Sequence, residues 1–280
     1  MPTDGTLPAE TRLGRTALRV ADLAATTDFY REVVGLTLLE RSAERTTLGA
    51  GDTPLLVLER DETAVEPSRS AAGLFHTAFR VPSRGALGDA LTRVRERGHL
   101  DGASNHGVSE ALYLTDPEGN GVEIYRDFPR AEWPTSDDGR VRMWTEPLDI
   151  EGVSEAATGM DGVPDGTDLG HVHLEVTSLA AFRECYVDTL GFTEQTTLPD
   201  ASFVAAGGYH HHVGANTWGQ RSAPASGRGL AWFEVLLPDT RTLEAVENRV
   251  AASQYSATQT AASLSVTGPD DIEVRFRVTS

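Results

Sequence analysis

A chain of 280 residues is long enough for two domains with cores of their own, and none of its apolar runs approaches membrane-spanning length. Its formal net charge is −18 and it has no lysine, so all 24 basic residues are arginine. Such a surface repels nucleic acid and anionic membranes and excludes them as partners. The acidic residues are dispersed rather than blocked. With lysine eliminated, this reads as the signature of a halophile with a salt-rich cytoplasm; an acidic protein from an arginine-rich genome is the other reading. A single cysteine, Cys185, rules out an intramolecular disulfide framework, and residues 1–5 lack signal-peptide character, so a cytoplasmic protein is expected.

In chain order, residues 18–36 read as strand, turn, amphipathic helix and a glycine stop at Gly35. Residues 73–82 read as a strand carrying His76, followed by a helix over 86–97. Strand-like runs at 111–115 and 121–125 flank Asp116-Pro117-Glu118-Gly119, where proline pre-sets φ and glycine tolerates positive φ. Residues 131–165, rich in Gly, Asp, Pro and Ser, read as a linker. The first pattern then returns at 174–192 and the second at 229–238, both at an offset of 156 residues, with a helix over 243–252. The simplest reading is an α+β fold of four βαβββ modules paired into two tandem halves, 10–130 and 166–280.

Several side chains suit chemistry. Glu123 lies between Val122 and Ile124, so alternation sends it to the opposite face from both. If that face is buried, the carboxylate needs a partner such as a metal ion. His76, on an apolar strand, reads by itself as a core histidine. His106 opens a loop and suits a structural hydrogen bond as well as a catalytic one; Tyr113 suits a barrel interior as well as a substrate contact. His171 and His173 share one strand face. In the run His210-His211-His212, strand alternation would put His211 opposite the other two. Cys185 falls in an apolar helix pattern and reads as a core thiol, and His99 as a surface residue.

Residues 105–125 resemble the last hairpin of a module in the vicinal oxygen chelate superfamily, which includes glyoxalase I, bleomycin-resistance proteins and extradiol dioxygenases. The resemblance rests on Asp116-Pro117-x-Gly119-Asn120-x-x-Glu123. It narrows towards the catechol 2,3-dioxygenase branch through His106-Gly107-Val108, Tyr113 ten residues before Glu123, the run Phe128-Pro129-Arg130-Ala131-Glu132-Trp133-Pro134, and the run from Gly207 through Trp218. It implies curved, partly closed sheets around pockets, with helices outside. It also implies two histidines and a carboxylate on Fe(II) or Mn(II), with open positions for a catecholate and O₂. His76 and Glu123 match ligand positions, His106 the acid–base histidine, and Tyr113 the substrate-contacting tyrosine. The implied ligand is a small aromatic diol. Exposed sheet edges would favour a homodimer.

The first-strand ligand is missing from the first half. The repeat places Arg15 opposite His171 and Ala17 opposite His173, and neither arginine nor alanine can donate a lone pair. The second half has the histidines but carries Trp232 and Arg275 at the remaining ligand positions. Three readings follow: His76 and Glu123 completed by water or by a residue of the second half; a metal held mainly by His171 and His211; or decayed sites in a metal-free binding protein. In the last case a buried Arg15 would pair with Glu123. The functional readings are metal-dependent extradiol ring cleavage, non-catalytic binding of a small molecule, or a glyoxalase-type isomerisation without O₂.

Overall fold

Each module opens on a strand that runs into a capped helix. The computed structural model describes residues 5–260 and 263–279; residues 1–4 of the stretch read for signal character lie outside that range. The first module comprises β1 (Arg12–Val20), α1 (Leu23–Phe29), β2 (Thr37–Arg41), β3 (Arg45–Ala50) and β4 (Thr53–Arg60). The second comprises β5 (Gly73–Arg80), α2 (Arg84–Arg97), β6 (Gly102–Asn105), β7 (Ser109–Thr115) and β8 (Gly121–Asp127). The connecting segment carries β9 (Glu146–Pro147) and α3 (Ile150–Glu155). The third module has β10 (Asp168–Glu175), α4 (Leu179–Arg183), β11 (Thr193–Leu198), β12 (Ala201–Ala205) and β13 (Val213–Asn216). The fourth has β14 (Gly229–Leu237), α5 (Thr240–Ala251), β15 (Ser256–Gln259), β16 (Ser263–Thr267) and β17 (Glu273–Val278).

Asp22, Ser83, Ser178 and Asp239 cap α1, α2, α4 and α5 by accepting hydrogen bonds from first-turn amides. In the first and third modules the helix widens into a π-turn, Tyr30–Val34 and Glu184–Thr189. The first of these closes on Gly35, whose φ of 93° is the left-handed conformation that glycine adopts without steric cost. The turn at Asp116 is held by its own side chain, which accepts from the amides of Glu118 and Asn120 at 2.9 and 2.8 Å. Glu118 then reaches out of the turn to the amides of Ala21 and Asp22 and to Arg228, tying the second module to the first and the fourth.

The strands form two curved sheets, and each takes strands from both halves of the sequence. One runs β15-β16-β17-β14-β1-β4-β3-β2 and so joins the fourth module to the first. The other runs β11-β12-β13-β10-β5-β8-β7-β6-β9 and joins the third to the second. Residues 10–130 and 166–280 therefore do not each close a sheet of their own. The helices and sheet backs share one apolar core, in which Tyr30, Phe79, Leu87, Phe182, Phe233 and Phe276 are fully buried. The connecting segment docks on this body: β9 pairs with β6, and Val153 of α3 is buried.

Candidate metal centre

Strand register brings three potential ligands together in the sheet of modules two and three. On parallel β8, Glu123 is in register with Ala78 of β5; on antiparallel β10, His171 is in register with the same alanine. Ala78 is small and fully buried, which leaves room above it. His76 stands two residues along β5 on the same face. The result is that His76 Nε2 lies 3.0 Å and His171 Nε2 3.1 Å from Glu123 Oε2, with the two Nε2 atoms 3.2 Å apart. Among the described residues these three form a buried group whose ligand atoms all fall within 4.8 Å of one another.

Protons alone satisfy this arrangement poorly. If both rings carry Nε2–H, two donors face each other; if one does, the lone pair of the other still faces the Glu123 oxygen; if neither does, three electron-rich atoms converge. His171 Nδ1 is buried with no hydrogen-bond partner, so no outer contact compensates. One cation accepting a lone pair from each of the three would remove the conflict. A two-histidine, one-carboxylate set suits a divalent transition metal. Charge points the same way. Burial acts to raise the Glu123 carboxyl, but the His171 and His76 rings hold it well below the usual range. Burial pushes His171 down to about 4, so both groups are in the form that donates to metal.

The other histidines are placed differently. His173 lines the cleft beside His171, as alternation requires, but its Nε2 meets Asn216 Nδ2 at 3.1 Å and its ring packs 5.1 Å from Phe75 and 5.6 Å from Trp218. Burial holds it well below its ordinary range, so it is neutral. The run His210-His211-His212 is an irregular turn between β12 and β13 rather than a strand, and all three rings are buried. Strict alternation therefore does not apply. His211 lies outside the three-ligand group, with its ring 4.0 Å from that of His171. Its Nδ1 meets His210 Nδ1 at 2.8 Å, and His210 Nε2 meets Asp127 at 2.9 Å. His212 Nδ1 accepts from the Ala206 amide at 3.2 Å.

A second polar pair stands beside the cluster. His106 Nε2 lies 2.6 Å from the Tyr113 hydroxyl, and His106 Nδ1 lies 2.8 Å from the Trp144 carbonyl oxygen. A carbonyl can only accept, so the ring proton is on Nδ1 and Nε2 presents a lone pair. Burial, and then the Glu123 charge, raise the Tyr113 phenol well above its ordinary value, so it is a neutral donor to His106. The cluster and this pair share one cleft of about 360 Å³, walled by aromatic and aliphatic side chains.

Residues 12–124 match the Glyoxalase/Bleomycin resistance protein/Dioxygenase superfamily. The chain is also 40% identical over 269 residues to a catechol-2,3-dioxygenase of Bacillus subtilis (strain 168), covering 93% of this chain and 94% of that protein. The chain belongs to this superfamily. Biphenyl-2,3-diol 1,2-dioxygenase 3 of Rhodococcus globerulus is 32% identical over 120 residues, which is 41% of this chain and 63% of that protein. Glyoxalase I from Zea mays shares the fold, with a TM-score of 0.61 at 16% identity over 96% of this chain and 92% of the other.

In this superfamily member the two sheets have diverged. Arg15 does not reach Glu123. It lies in the other sheet and pairs with Glu234 at 2.8 Å. There Trp232 packs with Ala17 and Val57 in a small apolar cluster, with the guanidinium of Arg275 4.1 Å and that of Arg15 5.6 Å from its ring centroid. Arg275 is in register with Glu234 as Glu123 is with Ala78, so an arginine stands there where the other sheet has its carboxylate. Cys185 is a core thiol, pushed up to about 12 by burial. Sequence reasoning left two contributions unread. Met143, Trp144 and Thr145 of the connecting segment enter the cleft, and Asp127 anchors His210. The spare first-strand histidine of one half and the missing one of the other were the available signal for His171.

Proposed function

We propose that the protein is a metal-dependent extradiol dioxygenase of a small aromatic diol, inserting both atoms of O₂ as it opens the ring beside the diol. The observation that carries the reading is the convergence of His76, Glu123 and His171 beside the His106–Tyr113 pair in one cleft. The 40% identical catechol-2,3-dioxygenase supports it. His76, Glu123 and His171 would hold Fe(II) or Mn(II), which when bound supplies Lewis acidity and open positions for the diol and O₂. His106 Nε2 takes a proton from a diol hydroxyl, and its Nδ1–H stays anchored on the Trp144 carbonyl. Without ligand, Tyr113 donates to that same lone pair; once a diol hydroxyl takes its place there, the neutral phenol turns to the diol oxygen and orients it. His211 supports the floor of the site through its contact with His171.

The test is anaerobic loading with Fe(II) or Mn(II), metal stoichiometry, then oxygen uptake with catechol. One metal per chain and one O₂ consumed per diol lost are expected. Isomerisation without oxygen uptake, or no metal retained after loading, would sink the reading.

No helix among the described residues is long and apolar enough to cross a membrane. The acidic, lysine-free composition supports action in a salt-rich cytoplasm. A melting temperature that rises steadily from low to molar KCl is expected; a flat response would refute it. A homodimer through sheet edges is tested by sedimentation.

A further inference from the structure

Exposed apolar side chains gather at the mouth of this one cleft. Phe75, Trp144, Leu198 and Trp218 are 38%, 39%, 43% and 47% exposed, and all four line it. The other large apolar side chains exposed to this degree among the described residues, Val65 and Met160, lie elsewhere. The four come from β5, the connecting segment, the end of β11 and the loop after β13, so no one element's packing requires their exposure. Clustered exposed apolar surface marks a place where something apolar binds.

Charge is the second observation. The chain has 24 arginines, yet none lines this cleft. Its one carboxylate, Glu123, lies at the floor within the ligand cluster. The wall above is Phe75 edge-on to Trp218 at 5.3 Å, backed by the ring of His173, which packs 5.1 Å from Phe75. A ligand carboxylate reaching this mouth would lose hydration and find no arginine to pair with, whereas an alkyl or aryl group would find matching surface.

We propose that the cleft takes a neutral diol bearing an apolar alkyl or aryl substituent, and discriminates against diols bearing a carboxylate. That the ligand is a diol rests on the ring-cleavage reading; the preference at the mouth does not. The experiment follows tryptophan fluorescence of metal-loaded protein without O₂, since Trp144 and Trp218 flank the mouth. Two ligand pairs are titrated: 4-tert-butylcatechol against 3,4-dihydroxybenzoate, and, on metal-free protein, 4-tert-butylphenol against 4-hydroxybenzoate.

The butyl ligand of each pair should bind at least about tenfold tighter. Trp218→Ala should erode that preference by about tenfold, and Leu198→Arg, at an exposed position, should strengthen carboxylate binding by a similar factor. Carboxylated ligands that bind wild-type protein as tightly as butyl ligands overturn the proposal, as does a Leu198→Arg variant with no gain for them. If the phenols show the preference while no diol is cleaved, the ring-cleavage reading fails and this one stands.

Discussion

His171 Nε2 lies 3.2 Å from His76 Nε2 although 95 residues separate them in sequence. Antiparallel pairing of β10 with β5 makes the approach, with His173 opposite His76 and His171 opposite Ala78. A histidine of the third module thus joins a cluster whose other two members belong to the second. The histidine absent from the first strand of the first half is matched in space by His171 of the neighbouring module across the sheet.

If this arrangement holds a metal, His171 matters as much as Glu123. His171→Ala, His76→Ala and Glu123→Ala should each weaken Mn(II) binding by about a hundredfold or more, because each removes a ligand rather than a supporting contact. Equilibrium dialysis with metal analysis measures this. A His171→Ala protein that retains metal like the wild type would show that the site is not shared between the modules.

Arg15→His should not build a second metal site. Trp232 fills the space, and Arg275 occupies the carboxylate position. The substitution would leave buried Glu234 with Arg277 as its remaining arginine partner. The expected outcome is no added metal and a loss of about 1–3 kcal/mol in urea unfolding. A second equivalent of bound metal would contradict this account of the first sheet.

The metal-free protein should lose stability in acid through its buried histidines. Burial pushes His212 down to about 3 and His171 to about 4, against about 6.5 for a histidine in an unfolded chain. Between those values and 6.5 the unfolded chain binds protons that the folded chain does not. Stability therefore rises with pH across that window and is lost as pH falls through it. His212→Asn keeps an acceptor for the Ala206 amide and removes one of these protons. Urea midpoints from pH 7.5 to pH 4 should fall less steeply in the variant, and parallel curves would exclude His212 as a contributor.

His106 and Tyr113 should separate in kinetics. His106→Ala removes the lone pair that takes the diol proton and should lower kcat by about a hundredfold or more with catechol. Tyr113→Phe leaves that lone pair in place and should cost about tenfold, mostly in orientation. Equal losses in the two variants would mean that they act as a single unit.

The sequence by itself determined the local pieces. The glycine stop after the first helix and the turn at Asp116 can be read from patterns a few residues long, the repeat at 156 residues from setting the two halves side by side, and the candidates His76, Glu123 and His171 from that repeat and the motifs that carry the family resemblance. The short patterns are set by backbone sterics and by the periodicity of apolar side chains. Only the tertiary structure decided which module pairs with which. Hydrogen bonding between strands is non-local, and no short window encodes a strand's partner. That pairing put His171 over Glu123 and left His173 in an aromatic wall, though both lie on one strand face. It sent Arg15 to Glu234, and docking of the connecting segment brought Trp144 onto His106.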